Sequence, residues 1–247
     1  MVSYTKHIET EVLDWRRRMT RKPSVLNKLS KRMQTKVNSY IPEKVHKAIT
    51  TAIKQMIRGV MFGSGYATSE KPAEGTFMEV EETVIKRINS YKHAAAAEGG
   101  ITGAGGILLG LADFPLFLSI KLKMLFDIAA LYGYSPKDYK ERLYLLHIFQ
   151  LAFSSQQHRR EVFQLMVDWN QKREALPDDI NQFQWRAFQQ EYRDYIDLAK
   201  LAQLVPGIGA VVGFVVNYKM TGKLGQYAMN AYRMRLLEEG RLARSGT

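Results

Sequence analysis

From Ile41 onward the apolar residues Ile41, Val45, Ala48, Ile49, Ala52, Ile53, Met56 and Val60 recur at steps of three and four, and Lys44, Lys47, Lys54 and Arg58 fall mostly between them. A repeat near 3.6 residues puts the first set on one side of a helix and the second on the other, so the spacing predicts an amphipathic helix with a basic face. Upstream, Val25, Leu29, Met33, Val37 and Ile41 form a similar stripe beside Lys28, Lys31, Arg32 and Lys36. Two or three short basic helices are expected there, with turns near Lys22-Pro23 and Ile41-Pro42.

The stretch GSGYATSEKPAEGTF at 63–77 has turn composition and divides a basic amphipathic helical region, 1–62, from a helical domain over 75–240. In that domain Val80, Val84, Ile88 and Tyr91 share one face of a helix expected over about 78–97. The run PLFLSIKLKMLFDIAALYGY predicts a helix ending near Gly133, because glycine takes the left-handed conformation at little cost. Ser135, Pro136 and Asp138 then read as N-cap, N1 and N3 of the next helix. Helices over about 136–155, 158–173, 180–204 and 207–240 complete the chain. No stretch alternates as a strand would, so the expected fold is all-α, a multi-helix bundle.

Residues 99–115 read GGITGAGGILLGLADFP. On one helix Gly99, Gly103, Gly106 and Gly110 would share a face bare enough for a second backbone to approach closely. Gly209 and Gly213 repeat the spacing in a second apolar segment, LAQLVPGIGAVVGFVVN at 201–217, after the break at Pro206. The two glycine-rich segments are expected to pack together. Neither is a phosphate-binding loop, since no GKS or GKT follows and no strand precedes. Asp113 and Pro115 interrupt the first segment, and a central aspartate costs about 2.5–3.5 kcal/mol in a bilayer, so a spanning helix is disfavoured. Shallow insertion and a soluble glycine-packed core both stay open. Asp113 reads as the cap of a helix restarting at Pro115, or as a carboxylate that shares a site with Glu98 and acts as an acid or base.

The chain is 46% hydrophobic and 24% charged, with a net charge of +12 and no cysteine. Residues 1–60 hold 14 Lys or Arg against 4 Asp or Glu, so the front attracts phosphates, whether of nucleic acid or of an anionic bilayer. Without thiols there is no disulfide framework and no cysteine nucleophile. His7, His46, His93, His147 and His158 show no metal-ligand spacing, so neither a metal nor a cofactor is expected. No GxSxG elbow occurs. The aromatic stripe of Phe183, Trp185, Phe188, Tyr192 and Tyr195 reads as helix interface. The opening MVSYTKHIETEVLDW lacks the apolar core of a secretory signal, and a cytoplasmic location is expected.

The ordered motifs AAAAEGGITGAGG, LADFP, IAALYGY, LVPGIGAVVGFVVNY and AMNAYRMR resemble the EcsC protein family over roughly residues 75–237. Glu98, Gly99, Thr102, Gly103, Asp113, Pro115, Tyr132, Gly133, Pro206, Gly209 and Asn217 stand at the motif positions. The resemblance implies a bacterial helical protein on the inner face of the cell membrane, with a link to ABC transporter components, and carries over no established catalytic residue. With the residues it gives two readings. The first is a non-enzymatic peripheral membrane protein that meets anionic lipid through Lys28, Arg32, Lys36, Lys44, Lys47, Lys54 and Arg58. The alternative is a hydrolase-like enzyme acting on a lipid or other hydrophobic substrate through Asp113 and Glu98. Specific nucleic-acid binding lacks any reader motif.

Overall fold

Eight α-helices make up most of what the computed structural model describes, namely residues 2–21, 43–62, 71–103, 106–154, 158–182, 188 and 210–242. They are α1 (Val2–Thr20), α2 (Glu43–Phe62), α3 (Phe77–Gly103), α4 (Gly106–Leu131), α5 (Tyr139–Phe153), α6 (Arg159–Met166), α7 (Trp169–Glu174) and α8 (Ala210–Glu238), with a 3-10 turn at Ile180–Gln182. No strand occurs among the described residues, and the fold is all-α. Lys28, Arg32, Lys36, Pro206, Gly209 and all of the aromatic stripe but Phe188 lie outside the described residues.

The centre is three long helices, α3, α4 and α8, with α3 antiparallel to the other two. A reciprocal capping box starts α3: Thr76 N–H donates to the Glu79 carboxylate at 2.7 Å, and Glu79 N–H donates to Thr76 Oγ1 at 3.4 Å. The Thr76 N–H bond, with the Thr76 hydroxyl donating to the same carboxylate at 2.9 Å, holds the Glu79 carboxyl below its usual range. Gly133 ends α4 as expected, at φ 83, with Tyr134 N–H reaching back to the Ala129 carbonyl at 2.9 Å.

Close approach of α8 to α3 depends on two glycines that the denser glycine runs had overshadowed. A Cβ on Gly225 would stand 2.7 Å from Ile88 Cγ2, and one on Gly222 would stand 3.2 Å from Lys92 Cδ. With His93 against Tyr218 at 5.4 Å, these contacts fix an antiparallel register. It places the start of α8 beside the end of α3, where Ala95 and Ala96 are fully buried.

Four expectations change. The glycine segment is not one helix: α3 ends at Gly103 and α4 begins at Gly106, so Gly99 and Gly103 sit on one helix and Gly106 and Gly110 on the next. Nor does a helix restart at Pro115, because α4 runs through both Asp113 and Pro115; Asp113 is therefore not an N-cap. The α5 cap is Asp138, which accepts from Lys140 N–H at 2.8 Å and takes the role expected of Ser135. Finally, the helix expected over 158–173 divides at Asp168, which sits at φ 53. Lys172 Nζ makes the break tolerable by donating to the Val167 carbonyl at 2.6 Å and to that of Gln164.

The basic front shares the core of the rest. Ala52, Ile53, Met56, Ile57, Val60 and Met61 of α2 are buried in one cluster with α4 and α5. Arg142 donates to the Met61 carbonyl at 3.0 Å and fastens that end of α2 beside α5. The Gly225 contact is checked by comparing Gly225→Ala with Gly222→Ala. Both gain about 1 kcal/mol of helix propensity, but only the first drives a methyl into a branched, buried side chain. Gly225→Ala should unfold at lower denaturant, about 1–3 kcal/mol below Gly222→Ala, and Ile88→Ala in its background should recover part of the loss.

Candidate functional site

The two ends of the α3–α4–α8 core differ in chemistry. At the end where α4 closes, buried Glu81 takes four donors. Its Oε1 accepts from Tyr132 Oη at 2.9 Å and Arg233 Nε at 2.6 Å, and its Oε2 accepts from Tyr4 Oη at 2.8 Å and Arg233 at 2.5 Å. Burial and the Glu81 charge push the Tyr4 phenol up to about 12. Beside this pair, Arg235 donates to both oxygens of buried Glu141 at 3.0 and 2.8 Å, and Tyr232 Oη donates to the same carboxylate at 2.7 Å. The Arg235 guanidinium also lies 4.0 Å from the Tyr134 ring and 4.6 Å from that of Tyr144. Burial opposes the Arg235 charge, but the Glu141 carboxylate more than compensates and raises its pKa. With their oxygens so occupied, these carboxylates hold the fold and are not available as bases.

The opposite end carries the glycines. Between Glu98 and Asp113 no residue is charged, and this stretch forms the end of α3 and the start of α4. The start of α8, AVVGFVV at 210–216, lies at the same end by the register above and is also uncharged. Leu116, Phe214 and Val215 leave 57%, 43% and 41% of their surface exposed there. Gly106, Gly110, Asp113 and Gly213 are placed here by their backbones alone. No described helix is long and apolar enough to cross a membrane.

Just inside this end a polar layer crosses the three helices. Lys121 on α4 is fully buried, and desolvation lowers its pKa well below the usual value, against the attraction of Glu98 on α3. From α8 come Asn217 and Thr221, one turn apart and both fully buried; the Asn217 amide and the Thr221 hydroxyl make no hydrogen bond. The attraction between Glu98 and Lys121 places the two near each other across α3 and α4. Asp113 stands two turns before Lys121 on the same helix.

On the flank, α2 presents Lys47, Lys54 and Arg58 to solvent, and Lys44 stands in its first turn. Among the described residues no three His, Cys, Asp or Glu side chains come together as metal ligands. His147 is buried, 3.3 Å from Gln150 Oε1, and desolvation holds its pKa down at about 4.

An all-α bundle with two buried arginine–carboxylate pairs at one end and an uncharged, glycine-bearing end at the other is the class that these features define. Residues 6–237 match the EcsC protein family, and the chain belongs to it. The match includes the basic front, which carries none of the motifs quoted above. The chain is 46% identical over 230 residues to Protein EcsC of Bacillus subtilis (strain 168), covering 93% of this chain and 94% of that one. It is also 29% identical over 233 residues to Uncharacterized protein YdbA of the same organism, covering 86% and 85%. No solved structure matches.

Sequence reading singled out Glu98, Asp113 and Asn217 and quoted the motif AMNAYRMR, which contains Arg233 and Arg235, but it did not mark Lys121, Thr221, Glu81 or Glu141. A lysine in the apolar run LFLSIKLKMLF was the one available signal for the layer. Because an unpartnered buried polar group costs about 1–3 kcal/mol, the double variant Asn217→Leu, Thr221→Val should be at least as stable as the natural protein in thermal unfolding. A fall of several degrees would mean that the layer is structurally required.

Proposed function

We propose that this protein is a non-enzymatic peripheral membrane protein that seats its glycine end on an anionic bilayer, on the inner face of the cell membrane. One observation carries the reading: two uncharged glycine-bearing segments, far apart in the chain, meet at one end of the bundle with Leu116, Phe214 and Val215 exposed beside them. Single exposed apolar residues are ordinary on a protein surface, but apolar residues collected at one end mark an interaction site. Penetration stays shallow because Glu98 and Asp113 bound the uncharged stretch. The apolar face of α2 is spent on the core, so this helix contributes charge alone, chiefly through exposed Lys47, since Arg142 holds its Met61 end, with Arg58 one turn away, at the opposite end of the bundle. Each basic residue near an anionic surface adds about 1 kcal/mol. A transporter in the same membrane is the partner that the family resemblance suggests.

The second reading, a hydrolase acting on a lipid or other hydrophobic substrate through Glu98 and Asp113, draws on the buried polar layer under the same end. It is the weaker of the two, because Glu98 lies near Lys121, two turns along α4 from Asp113, rather than beside Asp113 itself.

Sedimentation with phosphatidylglycerol vesicles tests the first reading. The protein should pellet at low salt and remain in the supernatant with phosphatidylcholine alone. Replacing Lys47 by Gln should weaken association about fivefold, Arg58→Gln should leave it nearly unchanged, and raised salt should reduce the effect of the Lys47 replacement. Leu116→Ser with Phe214→Ser should weaken binding at every salt concentration. Failure of the natural protein to pellet at low salt would contradict the reading.

A further inference from the structure

A groove of about 640 Å³ opens between α1 on one side and α3 with α8 on the other, within the range of about 300–1,000 Å³ typical of small-molecule sites. It lies along the other half of the core from the glycine end and is independent of the membrane reading. Its floor follows α8 from Gly222 to Arg233, three turns or about 16 Å of helix.

Charge changes along that floor. At the Gly222 end stands Lys92, its carbons packed over the bare helix and its ammonium 4.3 Å from the Tyr218 ring. At the other end Arg233 is taken up by both oxygens of Glu81, yet Glu11 joins it at 2.9 Å. Asp14, one turn further along α1, lines the same wall and meets exposed Arg17 at 3.3 Å. Carboxylates therefore outnumber guanidinium groups there, with His7 at 3.4 Å from Glu11 as the other titratable neighbour. Arg18 follows on α1 and brings the wall back to positive charge.

Between the ends the groove offers amides and apolar carbons. Asn89 accepts from Lys92 at 3.0 Å and Asn230 accepts from Arg233 at 3.4 Å, so their N–H groups are what remains to meet a ligand, and Gln226 adds an amide with both donor and acceptor. Half-exposed Ile85, with Ile88 and Met229 beneath it, supplies the apolar part.

We propose that this groove binds a short peptide with free termini. The α-ammonium is held at Glu11 and Asp14, the α-carboxylate at Lys92, and the peptide groups between them bond to the amide side chains. An extended residue spans about 3.3–3.6 Å, so four or five residues fill the floor. Opposite charges at the two ends, separated by amides, match a zwitterionic chain. An acyl chain or a lone phosphate would leave one end and the amides unused.

Isothermal titration calorimetry of the full-length protein tests this with tetra-alanine and penta-alanine, each also in N-acetylated and C-amidated form. The free peptides should bind, and blocking either terminus should weaken binding about fivefold, the scale of one exposed ion pair. Lys92→Gln should lose the preference for a free carboxylate but keep that for a free amine. Asp14→Asn should do the reverse. Both side chains reach solvent, and circular dichroism checks that the fold is retained. If the natural protein binds neither free peptide, or binds blocked and free forms equally, the proposal is overturned. Loss of vesicle binding in the sedimentation experiment leaves these titrations unaffected.

Discussion

Arg233 and Arg235 stand two residues apart on α8, and residues two apart on a helix point to nearly opposite sides. Both side chains are nevertheless buried against carboxylates. The helix must therefore be surrounded: one side reaches Glu81 on α3 and Glu11 on α1, the other Glu141 on α5 and Asn170 on α7. Each guanidinium would be strongly unfavourable here without its partner. Losing one member of such a pair costs about 3–5 kcal/mol, because the other charge stays buried. Helices from four places in the chain are thereby held to a single arrangement around α8, and tyrosines 132, 134, 144 and 232 fill the space between the pairs.

One end is fastened by two arginine–carboxylate pairs; the other carries the uncharged stretch between Glu98 and Asp113. Close contact of α8 with α3 is made at Gly222 and Gly225, midway along the helix, and beyond them α8 continues toward the glycine segment of α3 and α4. Lys121, Asn217 and Thr221 are buried inside the bundle there, while Leu116, Phe214 and Val215 are exposed. In the proposed reading, this division orients the molecule on a surface. The basic face of α2 adds attraction without giving up its apolar side, which the core has already taken.

Periodicity made much of the fold legible. The α2 stripe was readable because that helix is half buried, so its two faces differ. The end of α4 was readable because Gly133 is the residue that a left-handed closure favours. Helix breaks were less so: nothing in Val167-Asp168 distinguishes a left-handed aspartate from a helical one, and Ser135 and Asp138 are equally good caps. The clamp was not readable at all, since Glu81 and Arg233 are 152 residues apart and Glu141 and Arg235 are 94 apart. A single sequence shows only that charges exist, not which are buried together. Of the candidate site, Glu98 and Asn217 could be found through motif positions, whereas Lys121 and Thr221 join them only through helix register.

The central claim is that this molecule has two ends with different tasks, and amide hydrogen exchange with and without phosphatidylglycerol vesicles tests it most directly. Added vesicles should slow exchange across the α3–α4 junction and the first turns of α8, around residues 99–116 and 210–216, and leave Tyr132–Arg142 and Ala231–Leu237 unchanged. Protection centred on those last two segments, or spread evenly over the chain, would contradict it.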